Sequence, residues 1–100
     1  MSIKFGVKAT KVEDSFGWVE QATGLVAVER ESTDWGGVYY FFDGPNGEKI
    51  RLLSNRDLYD GETVVDGADD WLIVLALDDV PEDSPIVTSL IADTQHFVRL

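Results

Sequence analysis

The chain has no cysteine. That excludes a disulfide framework and thiolate metal sites, and it suits a reducing compartment. It has one histidine, His96, so a histidine-based metal site lacks a second ligand of that kind. A Ser-His-Asp nucleophile has no G-x-S-x-G elbow to sit on. No glycine-rich phosphate loop is present, since "DWGG" at 34–37 does not match G-x-x-x-x-G-K-[ST]. No apolar run approaches the ~20 residues of a membrane span, and "MSIKFGVKATK" is too mixed for a signal peptide. Basic residues are scarce, eight Lys and Arg against 19 Asp and Glu, for a net charge of -11 in 100 residues. Such a charge repels nucleic-acid phosphates and anionic membranes and attracts cationic surfaces. The expectation is a cytoplasmic, non-enzymatic single domain spanning 1–100, with no catalytic residues, no cofactor and no metal.

What is there is unevenly placed. Asp57, Asp60, Glu62, Asp66, Asp69, Asp70, Asp78, Asp79, Glu82 and Asp83 fall in one window without a Lys or Arg, so residues 57–83 carry -10 of the total. The rest of the chain holds nine acids and eight bases and is close to neutral. Acids placed only for solubility would be dispersed. The oxygen-rich run "DLYDGETVVDGADD" would suit calcium, but Asp57, Asp60 and Glu62 do not have the spacing of an EF-hand loop. Two acidic loops flank the apolar run "WLIVLAL" at 71–77. The sequence leaves open whether they form one surface or two.

The elements read as β-α-β-β-β-β-α-β. "SIKFGVKA" alternates at period two, as a strand does. Thr10 and Glu13 have the spacing of a capping box, and Val12, Phe16, Val19 and Thr23 recur at helical spacing, with Trp18 and Ala22 on a flank. The spacing predicts a helix over 11–23, stopped by Gly24. "LVAVERES" is a strand running out to solvent. "VYYFFD" and "EKIRLLS" flank "GPNG" as a hairpin. "WLIVLAL" suits a central strand buried on both faces. Ser84 followed by Pro85 starts a second helix, and "QHFVRL" is the closing strand. The expected architecture is α+β: a two-layer sandwich with a mixed or antiparallel sheet of about six strands and two helices on one face, of which a ferredoxin-like core with an added hairpin is one version.

Pairing Asp43 with Glu48 would put Tyr39, Phe41, Ile50 and Leu52 on one core-facing surface. It would leave Tyr40, Phe42, Lys49 and Arg51 on the other as an aromatic-cationic ledge. A slip of one residue would reverse the faces. The ledge residues Tyr40, Phe42 and Arg51 join Asp57, Asp60, Glu62, Asp66, Asp69 and Asp70 as candidate partner-binding residues.

"VEQATGLVAVERES", then "WGGVYYFF", "GEKIRLLSN", an acidic loop and "WLIVLALDD" make a pattern over roughly residues 10–80. Its distinctive parts are Glu29, Arg30 and Glu31 ahead of Gly36-Gly37-x-Tyr39-Tyr40, and the spacing Ile50-x-Leu52-x-x-Asn55. In these the chain resembles small acidic bacterial proteins akin to the immunity proteins of polymorphic and contact-dependent toxin systems. The resemblance implies binding and neutralising a basic protein partner, a toxin domain. A small-molecule-binding regulatory domain and a phage-type accessory structural protein are the alternative readings.

Overall fold

The computed structural model describes residues 3–56, 61–65 and 67–100. Six strands form one open sheet: β1 (Ile3–Val7), β2 (Ala27–Ser32), β3 (Gly37–Asp43), β4 (Lys49–Ser54), β5 (Ile73–Asp78) and β6 (Phe97–Arg99). The helices α1 (Phe16–Thr23) and α2 (Pro85–Ala92) complete the order expected from the sequence. In space the strands run β2-β3-β4-β5-β1-β6, and each neighbouring pair is antiparallel. The sheet is thus antiparallel rather than mixed. β1 lies between β5 and β6, so the β5-α2-β6 connection returns one strand away. The β1-α1-β2 connection crosses to the far edge. Among the described residues no helix is long and apolar enough to cross a membrane.

Both helices cover one face. Val19 of α1 and Ile86, Val87 and Leu90 of α2 pack with Phe5, Phe42, Leu52 and Leu75 from the sheet. α2 starts as its sequence dictates: Pro85 occupies the first turn, and the Ser84 hydroxyl accepts from the Ile86 N–H at 3.2 Å. α1 is shorter than expected. Val12–Asp14 forms a separate 3-10 turn, and Ser15 leaves helical geometry at φ -120, ψ -9. The buried Ser15 hydroxyl donates to the Val12 carbonyl at 3.1 Å, so a local side-chain bond competes with continuation of the helix. The capping box on Thr10 and Glu13 does not form; no side chain caps α1. Gly24, at φ 74, stops the helix as expected and donates to the Glu20 carbonyl.

The hairpin register differs from expectation by one residue. Asp43 pairs with Lys49, Phe42 with Ile50, Phe41 with Arg51, Tyr40 with Leu52 and Tyr39 with Leu53. Because side-chain facing has period two, every aromatic of β3 changes sides relative to its expected partners. Tyr40, Phe42, Ile50 and Leu52 lie in the helix-covered core. Tyr39, Phe41, Arg51 and Leu53 lie on the opposite face. The four residues expected on one surface are therefore split between the two. The cause is Glu48, which stays in the loop. Its carboxylate folds back to accept the Asn46 N–H at 2.6 Å, and its carbonyl accepts the Gly44 N–H at 2.9 Å. Gly44 allows this, because a side chain there would collide with Glu48.

Tyr40 shows how its face is sealed. Phe16 stacks on it at 4.7 Å, and its hydroxyl donates to Glu29 Oε1 at 3.3 Å. Burial, then the Glu29 hydrogen bond and the charges of Glu29 and Glu13, raise its ionisation above the ordinary 10.0. The fold thus favours the neutral phenol. Its contribution to stability is complete below pH 10 and is lost as pH rises through the elevated folded value. Absorbance titration of tyrosinate should find one phenol ionising later than free tyrosine, and Tyr40→Phe should remove that late step.

Candidate protein-binding site

β1 and β5 are antiparallel, with Val7 opposite Ile73. The chain leaving β1 and the chain entering β5 therefore meet at one end of the sheet. The first brings Lys8 to Thr10, the Val12–Asp14 turn and Trp18 at the start of α1. The second brings Asp69, Asp70, Trp71 and Leu72. Between them is an open cleft of about 480 Å³ whose lining includes Asp14, Trp18, Asp70 and Trp71.

Two interactions hold these groups. On the incoming side, Asn55 is fully buried just beyond β4. Its Nδ2 donates to the carbonyls of Ala68 at 2.8 Å and Trp71 at 3.1 Å, and its Oδ1 accepts the Val65 N–H at 2.8 Å. One side chain thereby pins the segment bearing Asp69 and Asp70 to the sheet, and Val64, Val65, Ala68 and Trp71 pack on the face not covered by helices. Gly6 of β1 provides the seat for Trp71, since a Cβ at position 6 would fall inside the indole. Gly6→Ala should destabilise the fold by about 1–3 kcal/mol, as overpacking does, and shift Trp71 fluorescence; thermal unfolding with emission spectra checks both. On the outgoing side, Trp18 stacks on His96 at 4.1 Å, and the His96 Nδ1 lies 2.9 Å from Asp93 Oδ2. The histidine is a packing residue of the β6 turn.

The acids of the window do not act alike. Asp69, Asp70 and Glu62 are exposed at this end; Asp57, Asp60 and Asp66 lie outside the described residues. Asp78 pairs with Arg51 at 3.1 Å. Glu82 receives two hydrogen bonds from Arg99, at 2.7 and 2.8 Å, which lower its pKa below the ordinary carboxylate value. Asp79 and Asp83 are exposed at the opposite end, beside the loop of Asn46 and Glu48. β5 separates the two ends by about 17 Å, roughly two Debye lengths at physiological salt. Electrostatically, the described acids form two patches. Among the described residues no group of three or more His, Cys, Asp or Glu is placed to hold a metal ion.

The ledge is also redrawn. Tyr40 and Phe42 are buried under α1 and the adjoining core, so they do not form an exposed surface with Arg51. Arg51 lies on the other face between aromatic rings, its guanidinium 4.6 Å from the Trp35 ring centre and 5.4 Å from that of Phe41. Arg30 covers Phe41 at 4.2 Å. This is a cation–π stack built on Trp35 and Phe41 instead of Tyr40 and Phe42.

Sequence reasoning missed Asp14, Trp18 and Trp71 as parts of one site. Trp18 read as the flank of a helix and Trp71 as the first residue of a strand that begins at Ile73. Trp18 stands off the apolar stripe of Val12, Phe16 and Val19, which was a usable signal. No protein-family model matches the chain, and no curated protein matches its sequence.

Proposed function

We propose that the protein binds a basic protein partner through the acidic end of the sheet, and that it serves as an immunity-type inhibitor of a cationic toxin domain. The observation that carries this reading is the convergence of Asp14 and Asp70 on a tryptophan-lined cleft, with Asp69 exposed beside them, within a chain whose charge is concentrated in residues 57–83. A toxin that acts on nucleic acid needs a basic surface to hold phosphate. An acidic inhibitor is steered onto that surface and can associate faster than the unsteered ~10⁵–10⁶ M⁻¹s⁻¹. Tryptophans then supply the contacts that slow release. The immunity-type assignment itself comes from the resemblance of the sequence pattern at Glu29–Glu31, Gly36–Tyr40 and Ile50–Asn55.

The test is co-purification with the product of the neighbouring gene, followed by association rates at low and high salt. Replacing Asp57, Asp60, Glu62, Asp66, Asp69 and Asp70 by their amides should slow association at low salt by about 10-fold or more, flatten the salt dependence and change dissociation less. Replacing Asp79 and Asp83, at the far end, should leave the rate unchanged. A bound partner that associates with the amide variant at the wild-type rate would remove the electrostatic basis of the proposal.

A further inference from the structure

We infer that the cleft between Trp18 and Trp71 receives an arginine side chain of the basic partner, its guanidinium held by the two indoles and the carboxylates of Asp14 and Asp70. This rests on the reading of a basic protein partner and specifies what that partner inserts. The volume of about 480 Å³ lies within the ~300–1,000 Å³ of small-ligand recesses. Its lining pairs flat aromatic surface with negative charge, the combination that recognises a cation able to stack. One surface of each indole is already in use, Trp18 against His96 and Trp71 over Gly6, and both rings still line the cleft. Among the described residues Lys8 is the one basic side chain in the lining, and its ammonium is engaged by the Thr94 carbonyl at 3.0 Å.

Arginine fits better than lysine for a physical reason. A guanidinium is planar and weakly hydrated, so it stacks on an indole while its edge donates to carboxylates, whereas an ammonium is a strongly hydrated point charge. The molecule itself uses this chemistry on the sheet face not covered by helices, where Arg51 lies over Trp35 and Arg30 over Phe41. A cleft with carboxylates on both of its walls would leave a neutral guest facing unpaired charge.

The experiment needs no partner. N-acetyl-arginine methylamide is titrated into the intact protein while the indole N–H resonances of Trp18, Trp35 and Trp71 are followed by NMR, with the citrulline and lysine analogues as neutral and point-charge controls. Trp18 and Trp71 should shift and Trp35 should not. The citrulline analogue, and the Asp14→Asn/Asp70→Asn variant with arginine, should each bind about fivefold more weakly or worse. Trp18→Leu should weaken binding similarly. Trp71 is left intact because its ring packs against Gly6. Absence of shifts at Trp18 and Trp71, equal shifts at all three tryptophans, or equal affinity for the citrulline or lysine analogue would overturn the assignment. Salt-dependent association with a protein partner would then still stand, since it depends on the surrounding acids and is measured separately.

Discussion

Asn55→Ala should lower the unfolding free energy by about 3–4 kcal/mol, at about 1 kcal/mol for each of three side-chain hydrogen bonds plus the cost of leaving buried partners unsatisfied. The residue is fully buried and uses both amide hydrogens and its oxygen on the backbone of Val65, Ala68 and Trp71. Its own main chain adds two more ties, from the Asn55 N–H to the Leu72 carbonyl at 2.8 Å and from the Val64 N–H to the Asn55 carbonyl at 3.3 Å. Asn55→Ala keeps those, so the damage should centre on Val65, Ala68 and Trp71. Asn55→Asp tests the same geometry with almost no change of volume. A carboxylate would face the carbonyl oxygens of Ala68 and Trp71 in place of the amide donor, and at neutral pH it should be at least as destabilising. Lowering the pH protonates that carboxyl, restores a donor and should recover part of the loss. Urea unfolding at two pH values measures this, and hydrogen exchange at the Val65 amide reports whether the segment carrying Asp69 and Asp70 has left the sheet. If Asn55 merely filled space, the apolar and similarly sized Asn55→Leu would keep nearly the wild-type stability, whereas loss of the three hydrogen bonds predicts a drop comparable to that of Asn55→Ala.

The same residue shows what could be read from the sequence. Asn55 stood out through its spacing from Ile50 and Leu52, but only the fold shows that it staples a distant loop. Element order was legible because period-two alternation in 3–7 and the uninterrupted apolar run of 73–77 are strong local signals. The Ser84-Pro85 start and the Gly24 stop were legible because capping chemistry is local. Hairpin register was not. "GPNG" marks a turn, but it cannot show that Glu48 will fold its carboxylate onto the Asn46 amide and keep itself out of β4. That one tertiary detail exchanged the faces of Tyr39 to Phe42. The candidate site was half legible. Asp69 and Asp70 belong to a charge window visible in one dimension, whereas Asp14 and Trp18 join them only because β1 and β5 pair antiparallel.

Leu75→Ala should cost about 2–5 kcal/mol, the range for removing a large aliphatic side chain from a packed core. Leu75 is the middle of the apolar run and pairs with Leu52 on one side and Phe5 on the other. All three are fully buried. Strands on both sides of β5 limit how far the backbone can relax into the space left behind, so the cavity should persist and place the cost in the upper half of the range. Leu72→Ala supplies the contrast three residues earlier. That side chain is 50% exposed and lines the cleft rather than the core, so its loss should fall within about 0.5 kcal/mol. Chemical denaturation of the two variants measures the difference directly. Leu75→Ala molecules that remain folded should keep their cleft and their response to arginine. Leu72→Ala should alter that response with stability nearly intact. A loss below 0.5 kcal/mol for Leu75→Ala would mean that β5 is not buried in the middle of the sheet, and the convergence of Asp14 with Asp70 at its end would fall with it.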